Sequence, residues 1–144
     1  MRTHRGQIAF PGGGIDPGDS GVVAAALREA HEEVGIPPEA VEPIGLLTTV
    51  WTRGSERSLC PVVALQRVPV DPVADGYEVA TWFRIPIADL LEAPLTSRRI
   101  PGMPESAMVH FYEAHGQVIW GATAAVLLDL LGRLRAVREV AAQR

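Results

Sequence analysis

The sequence predicts an α+β fold, a mixed sheet flanked by helices in an α/β/α sandwich.

 

Three features of the 144-residue chain carry that prediction. A glycine-rich turn leads into a helix with three glutamates on one face. Apolar, β-branched runs of strand length follow, and the chain closes on an apolar stripe of helical period.

Taken in order, Gln7 to Phe10 reads as a short strand, followed by the turns Phe10-Pro11-Gly12-Gly13 and Asp16-Pro17-Gly18-Asp19. A helix is expected from about Ser20 to Val34. Asp19 or Ser20 would be its N-cap and Gly35 its stop, with Pro37 and Pro38 barring continuation. Val41 to Trp51 and Leu59 to Val68 read as two strands around the polar loop Thr52-Arg53-Gly54-Ser55-Glu56-Arg57. Tyr77 to Ile85 reads as a fourth strand, and Pro86 to Leu91 as a short helix with proline in its first turn. The stretch from Ala93 to Pro104, rich in Pro, Ser and Arg, reads as a loop that either closes over a substrate or only connects.

Met108 to Tyr112 and Gln117 to Trp120 form a hairpin pattern around Ala114-His115-Gly116, with His110 and His115 as ordinary strand or turn residues. In the last segment Leu127, Leu130, Leu131, Leu134 and Val137 share one stripe, and Arg133, Arg135 and Arg138 lie off it. This amphipathic helix is expected to cover the sheet rather than bind a membrane.

The chemistry concentrates on the first helix. Glu29, Glu32 and Glu33 stand at i, i+3 and i+4 and project from one face, while Ala26, Ala30 and Val34 lean toward another. Like charges so spaced repel by roughly 0.2–0.5 kcal/mol on an isolated helix, so a positive partner is required. Arg28 can pair with Glu32 one turn on, leaving an excess of carboxylate oxygens that suits Mg²⁺ or Mn²⁺. A solvated helix face is the ordinary reading of a bare Glu-x-x-Glu-Glu. Here turn, cap, acids and stop agree in register, which that reading does not explain.

Composition bounds the rest. With 47% apolar and 21% charged residues, the chain is sized for one domain with its own core. The net charge of −4, with all 13 cations arginine, argues against a broad nucleic-acid footprint. Arg53, Arg57, Arg98 and Arg99 can serve as local phosphate contacts or as plain surface residues. The single Cys60, in Leu59-Cys60-Pro61-Val62-Val63, reads as a buried core thiol and fits a reducing cytoplasm. No apolar run reaches membrane-spanning length, and Met1 to Gly6 is too polar for a signal peptide.

The pattern resembles the Nudix hydrolases, whose box reads Gly-x5-Glu-x7-Arg-Glu-hydrophobic-x-Glu-Glu-x-Gly-hydrophobic. Gly13, Arg28, Glu29, Ala30, Glu32, Glu33, Gly35 and Ile36 match it. Asp19 stands at the first Glu, and eight residues rather than seven separate it from Arg28. That insertion resembles the coenzyme A pyrophosphatase branch of the family. So do His4-x-Gly6-Gln7-x-x-Phe10-Pro11-Gly12-Gly13 and Ile119-Trp120-Gly121-x-Thr123-Ala124.

By position, the resemblance implies Glu29 and Glu33 as metal ligands, Glu32 as a further ligand or water-mediated contact, and Arg28 as the residue that orients them. It also implies a main-chain carbonyl near Gly12 as a ligand and a distant acid as ligand or base, for which Glu78 in Gly76-Tyr77-Glu78-Val79 is the candidate. The expected fold is a single domain over residues 1–144, N-terminally short and lacking the usual first strand or strands of that branch. An unpaired sheet edge would invite a second copy, so a homodimer is the expected assembly. The expected reaction is Mg²⁺- or Mn²⁺-dependent hydrolysis of a small nucleoside diphosphate derivative. Coenzyme A or its derivatives come first, giving 3′,5′-ADP and 4′-phosphopantetheine. ADP-ribose, a dinucleotide or a nucleoside triphosphate is the alternative, and a binding module without turnover is another. No nucleic acid, no membrane and a cytoplasmic location complete the expectation.

Overall fold

Helix α1 spans Val22–Val34 and buries Ala25 and Val34. In the computed structural model, which describes residues 6–52, 57–102 and 108–144, it ends as its sequence dictates. Gly35 turns left-handed at φ 66°, its N–H donates to the His31 carbonyl at 2.9 Å, and the Ile36 N–H reaches back to Ala30 at 3.2 Å. These bonds satisfy carbonyls that a helix end leaves orphaned, and glycine adopts the required φ without a Cβ penalty. The beginning differs from expectation. Gly21, not Asp19 or Ser20, is the N-cap, because the Asp19 carboxylate is engaged by the Asp16 N–H and by Arg28.

The chain divides into two compact units. One comprises Phe10–Thr49 and Cys60–Arg84. In it a 3₁₀ turn, Pro38–Ala40, follows α1, and β1 (Val41–Leu46) pairs antiparallel with β4 (Val62–Gln66). The register shifts between Pro43 and Gly45, where proline offers no N–H to the ladder. Ala40 and Leu47 join Ala25 and Val34 as its buried apolar residues.

The other unit comprises Met1–Ala9, Val50–Leu59 and Ile85–Arg144. In it β2 (Val50–Thr52) pairs with β3 (Arg57–Leu59), so each long expected strand is split in two. At the second split Pro61 lacks the N–H that a continuous strand needs. Helix α2 (Ile87–Glu92) precedes an antiparallel sheet in the order β5-β6-β7, formed by Leu95–Arg98, Val109–Ala114 and Gln117–Trp120. Helix α3 (Gly121–Ala142) packs on β6 and β7. The core joins Leu90, Tyr112, Ile119, Ala124, Leu127 and Leu131, with Ile8 and Leu134 against it.

Several expectations are corrected. Gln7 to Phe10 is not a strand; the Ile8 carbonyl accepts the Thr123 hydroxyl at 2.8 Å instead of joining a ladder. Tyr77 to Ile85 is not a strand either, since the amides of Tyr77, Glu78 and Val79 are taken by the Asp75 carboxylate. Within the expected loop from Ala93 to Pro104 lies β5, which finds its partner in β6. Pro86 is the N-cap of α2 rather than part of its first turn. The apolar stripe of α3 fades toward its end: Leu127 and Leu131 are buried, whereas Val137 is 66% exposed. Cys60 is half-buried rather than buried. Among the described residues every strand pairing is antiparallel, in three small sheets, where a mixed sheet was expected. No described helix is long and apolar enough to cross a membrane.

Candidate active site

The site is built around one arginine. Arg28 Nε donates to Asp19 Oδ1 at 3.1 Å; Nη1 donates to Glu29 Oε1 at 3.0 Å and to Glu32 Oε2 at 3.1 Å; Nη2 donates to the Gly14 carbonyl at 2.9 Å and to Asp19 Oδ2 at 3.0 Å. A guanidinium has five N–H donors, and these contacts account for all of them. Arg28 therefore organises its own chain and has no donor left for a substrate phosphate. The expected pairing with Glu32 is present, and Glu29 and Asp19 share the same cation.

Asp19 is the best-shielded partner, with its side chain 7% exposed against 58% for Glu32. The Arg28 guanidinium, helped by the Asp16 N–H, holds its carboxyl below the usual carboxylate range. The same contact raises the pKa of Arg28, so the pair stays ionised. Asp19 ties the turn to the helix in this way.

The glycine turn lies directly on the acids. The Gly12 N–H donates to Glu33 Oε2 at 3.0 Å, and a Cβ at Gly13 would overlap the Glu29 carboxylate. Only glycine lets the backbone come this close. Glu33 is the strained member electrostatically. Burial pushes its carboxyl up; the Gly12 N–H offsets part of this, and the negative charges of Glu29, Glu78 and Asp75 push it up further.

Glu78 arrives from a loop fixed to the end of α1. The Val73 N–H donates to the Val34 carbonyl at 2.9 Å, and the Asp75 N–H to the Glu33 carbonyl at 3.1 Å. Gly12, Gly13, Asp16, Arg28, Glu29, Glu32, Glu33, Asp75, Tyr77 and Glu78 line a cleft of about 400 Å³. The expected catalytic and metal-site residues Gly12, Arg28, Glu29, Glu32, Glu33 and Glu78 thus line one cleft. Asp16, Asp75 and Tyr77 were not anticipated; the Asp75-Gly76 dipeptide signals a turn, but nothing in the spacing tells what that turn faces.

Six acids and one arginine line this cleft. Hard oxygen donors in such excess suit a divalent cation; burial is the main upward push on Glu33, and the smaller push from Glu29, Glu78 and Asp75 is repulsion that a cation would relieve. Among the described residues, no three acidic, imidazole or thiol groups form a ready-made cage. Mg²⁺ asks for less, since it takes one or two carboxylates and completes its shell with water and phosphate oxygens.

The arginines considered as phosphate contacts have other settings. Arg98 lies 4.4 Å over the Phe111 ring, and Arg57 begins β3. Arg53 and His4 lie outside the described residues. His110 Nδ1 is 2.7 Å from Ser97 Oγ, and His115 Nε2 is 2.7 Å from Asp89 Oδ2, as strand and turn residues.

Comparison with known proteins gives a consistent result. Residues 1–105 match the family model described as NUDIX domain. A protein of Enterobacter sp. (strain 638), named "Uncharacterized Nudix hydrolase NudL", is 40% identical over 134 residues, which is 90% of this chain and 68% of the relative. Proteins of the same name from Cronobacter sakazakii and Escherichia coli O7:K1 are 39% and 40% identical over the same shares.

Proposed function

This chain belongs to the Nudix hydrolase family and is an enzyme of it; from that premise we propose that it cleaves the diphosphate of coenzyme A or its derivatives, using Mg²⁺ or Mn²⁺. The products are 3′,5′-ADP and a 4′-phosphopantetheine species. The family supports the coarser statement, a pyrophosphohydrolase of small nucleoside diphosphate derivatives. The likeness of two segments to the coenzyme A branch supports the finer one. Those segments are joined here, since Thr123 in one donates to the Ile8 carbonyl in the other. The unit of function is taken to be a single domain over residues 1–144.

The observation that carries the reading is the gathering of Gly12, Glu29, Glu32, Glu33 and Glu78 in one cleft around a fully committed Arg28. Glu29 and Glu33 would hold the cation, with Glu32 and the Gly12 carbonyl beside them. When bound, the cation supplies Lewis-acid neutralisation of charge on the diphosphate oxygens. Arg28 keeps Glu29 and Glu32 aimed while substrate exchanges. Glu78 orients a water for in-line attack at phosphorus and takes up its proton. The negative lining would repel a diphosphate that arrived without a cation, so binding and catalysis share one requirement.

Mass-spectrometric assay of coenzyme A, ADP-ribose and dinucleotides, with and without Mg²⁺, tests this. Coenzyme A should be cleaved to the two named products only with the cation, and Glu33→Gln should abolish turnover while the far-ultraviolet circular dichroism stays native. Preference for another substrate would overturn the coenzyme A assignment, and full turnover by Glu33→Gln would overturn the site.

A further inference from the structure

We infer that Asp75 is a positioning residue for hydrolysis, one that fixes Glu78 to the backbone of Glu33 by capturing the amides of the loop that carries it. The inference rests on the reading of Glu78 as the acid that orients the attacking water. Asp75 Oδ1 accepts the N–H groups of Tyr77 at 3.1 Å, Glu78 at 3.0 Å and Val79 at 2.8 Å. The Glu78 N–H also reaches Asp75 Oδ2 at 3.1 Å. One carboxylate thus gathers three consecutive amides.

The loop closes on itself as well, because the Gly76 N–H donates to the Val79 carbonyl at 3.1 Å with Gly76 at φ 73°. The other end of the device is the helix. The Asp75 N–H donates to the Glu33 carbonyl and the Val73 N–H to the Val34 carbonyl, and these belong to the last turn of α1, whose carbonyls have no intrahelical partner. A path of two hydrogen bonds through Asp75 therefore joins the main chain of Glu33 to the main chain of Glu78. Glu78 is otherwise exposed, and no strand holds it, since residues 77–79 have given their amides to Asp75 rather than to a ladder. Misplacing a catalytic group by about 1 Å can cost on the order of 10²-fold in rate.

The full chain, assayed with Mg²⁺ and coenzyme A, separates this role from bulk stability through Asp75→Ala, Asp75→Asn, Glu78→Gln and the double variant Asp75→Ala/Glu78→Gln. Asparagine keeps an oxygen able to accept the three amides. We expect Asp75→Ala to lose on the order of 10²-fold in kcat with KM little changed, Asp75→Asn to restore most of it, and the double variant to be no slower than Glu78→Gln. Hydrogen exchange should show faster amides at Tyr77, Glu78 and Val79 in Asp75→Ala but not in Asp75→Asn. If Asp75→Ala does not fold, Asp75→Ser, whose shorter side chain reaches fewer amides, carries the same comparison.

Asp75→Asn as slow as Asp75→Ala would overturn the inference, because charge rather than amide capture would then matter. Multiplying losses in the double variant, or unchanged amide exchange in Asp75→Ala, would overturn it too. Wild-type kcat in Glu78→Gln would instead remove the role of Glu78, and with it the catalytic consequence, while the exchange data would still report the clasp.

Discussion

The carboxyls of Asp19 and Glu33 are shifted in opposite directions, and each shift has a distinct consequence for the folded state. The Asp19 carboxyl titrates below its ordinary value of 3.8 because Arg28 and the Asp16 N–H favour the anion. A group depressed on folding adds stability above its unfolded pKa and loses it as pH falls through the folded one. The Asp19→Asn variant should therefore melt below the wild type at neutral pH, and the gap should close as pH drops below about 3.8. Thermal melts across that range decide this; a gap that stays constant would mean that shape rather than charge holds the turn. Glu33 is raised on folding, so its anion works against the fold at neutral pH and is relieved by protonation or by a cation.

At the scale of elements, the decisive contact is between the glycine turn and α1. A Cβ at Gly13 would meet the Glu29 carboxylate, the free end of a flexible side chain, so the helix need not move. Gly13→Ala should leave thermal stability within about 0.5 kcal/mol of wild type yet lower kcat/KM by on the order of 10²-fold, because Glu29 is pushed from Arg28. Loss of folding with no specific kinetic defect would contradict this. The helix, its acids and its glycine stop were legible because they depend on spacing within a few residues. Arg28 with Glu32 was legible for the same reason. What the sequence hid depends on distant partners: β5 exists because β6 pairs with it, and Asp75 acts through main-chain amides that no residue pattern encodes. The segment from Tyr77 to Ile85 has strand-like composition, but Asp75 removes the donors a ladder would need.

Over the whole molecule, a net charge of −4 conceals an uneven distribution, since six of the 17 acids line one cleft. That concentration is the central physical fact, and a cation held there, as proposed, would link its binding to folding. A ligand that binds only the folded chain stabilises it by about 2.7 kcal/mol at a hundredfold excess over Kd. The most direct test is calorimetric titration of the chain with Mn²⁺, alongside Glu33→Gln, which can still accept the Gly12 N–H but lacks the charge. Saturable binding in the wild type, weakened at least tenfold in Glu33→Gln, is the predicted result. Absence of saturable binding in the wild type, or equal affinity in both, would contradict the account.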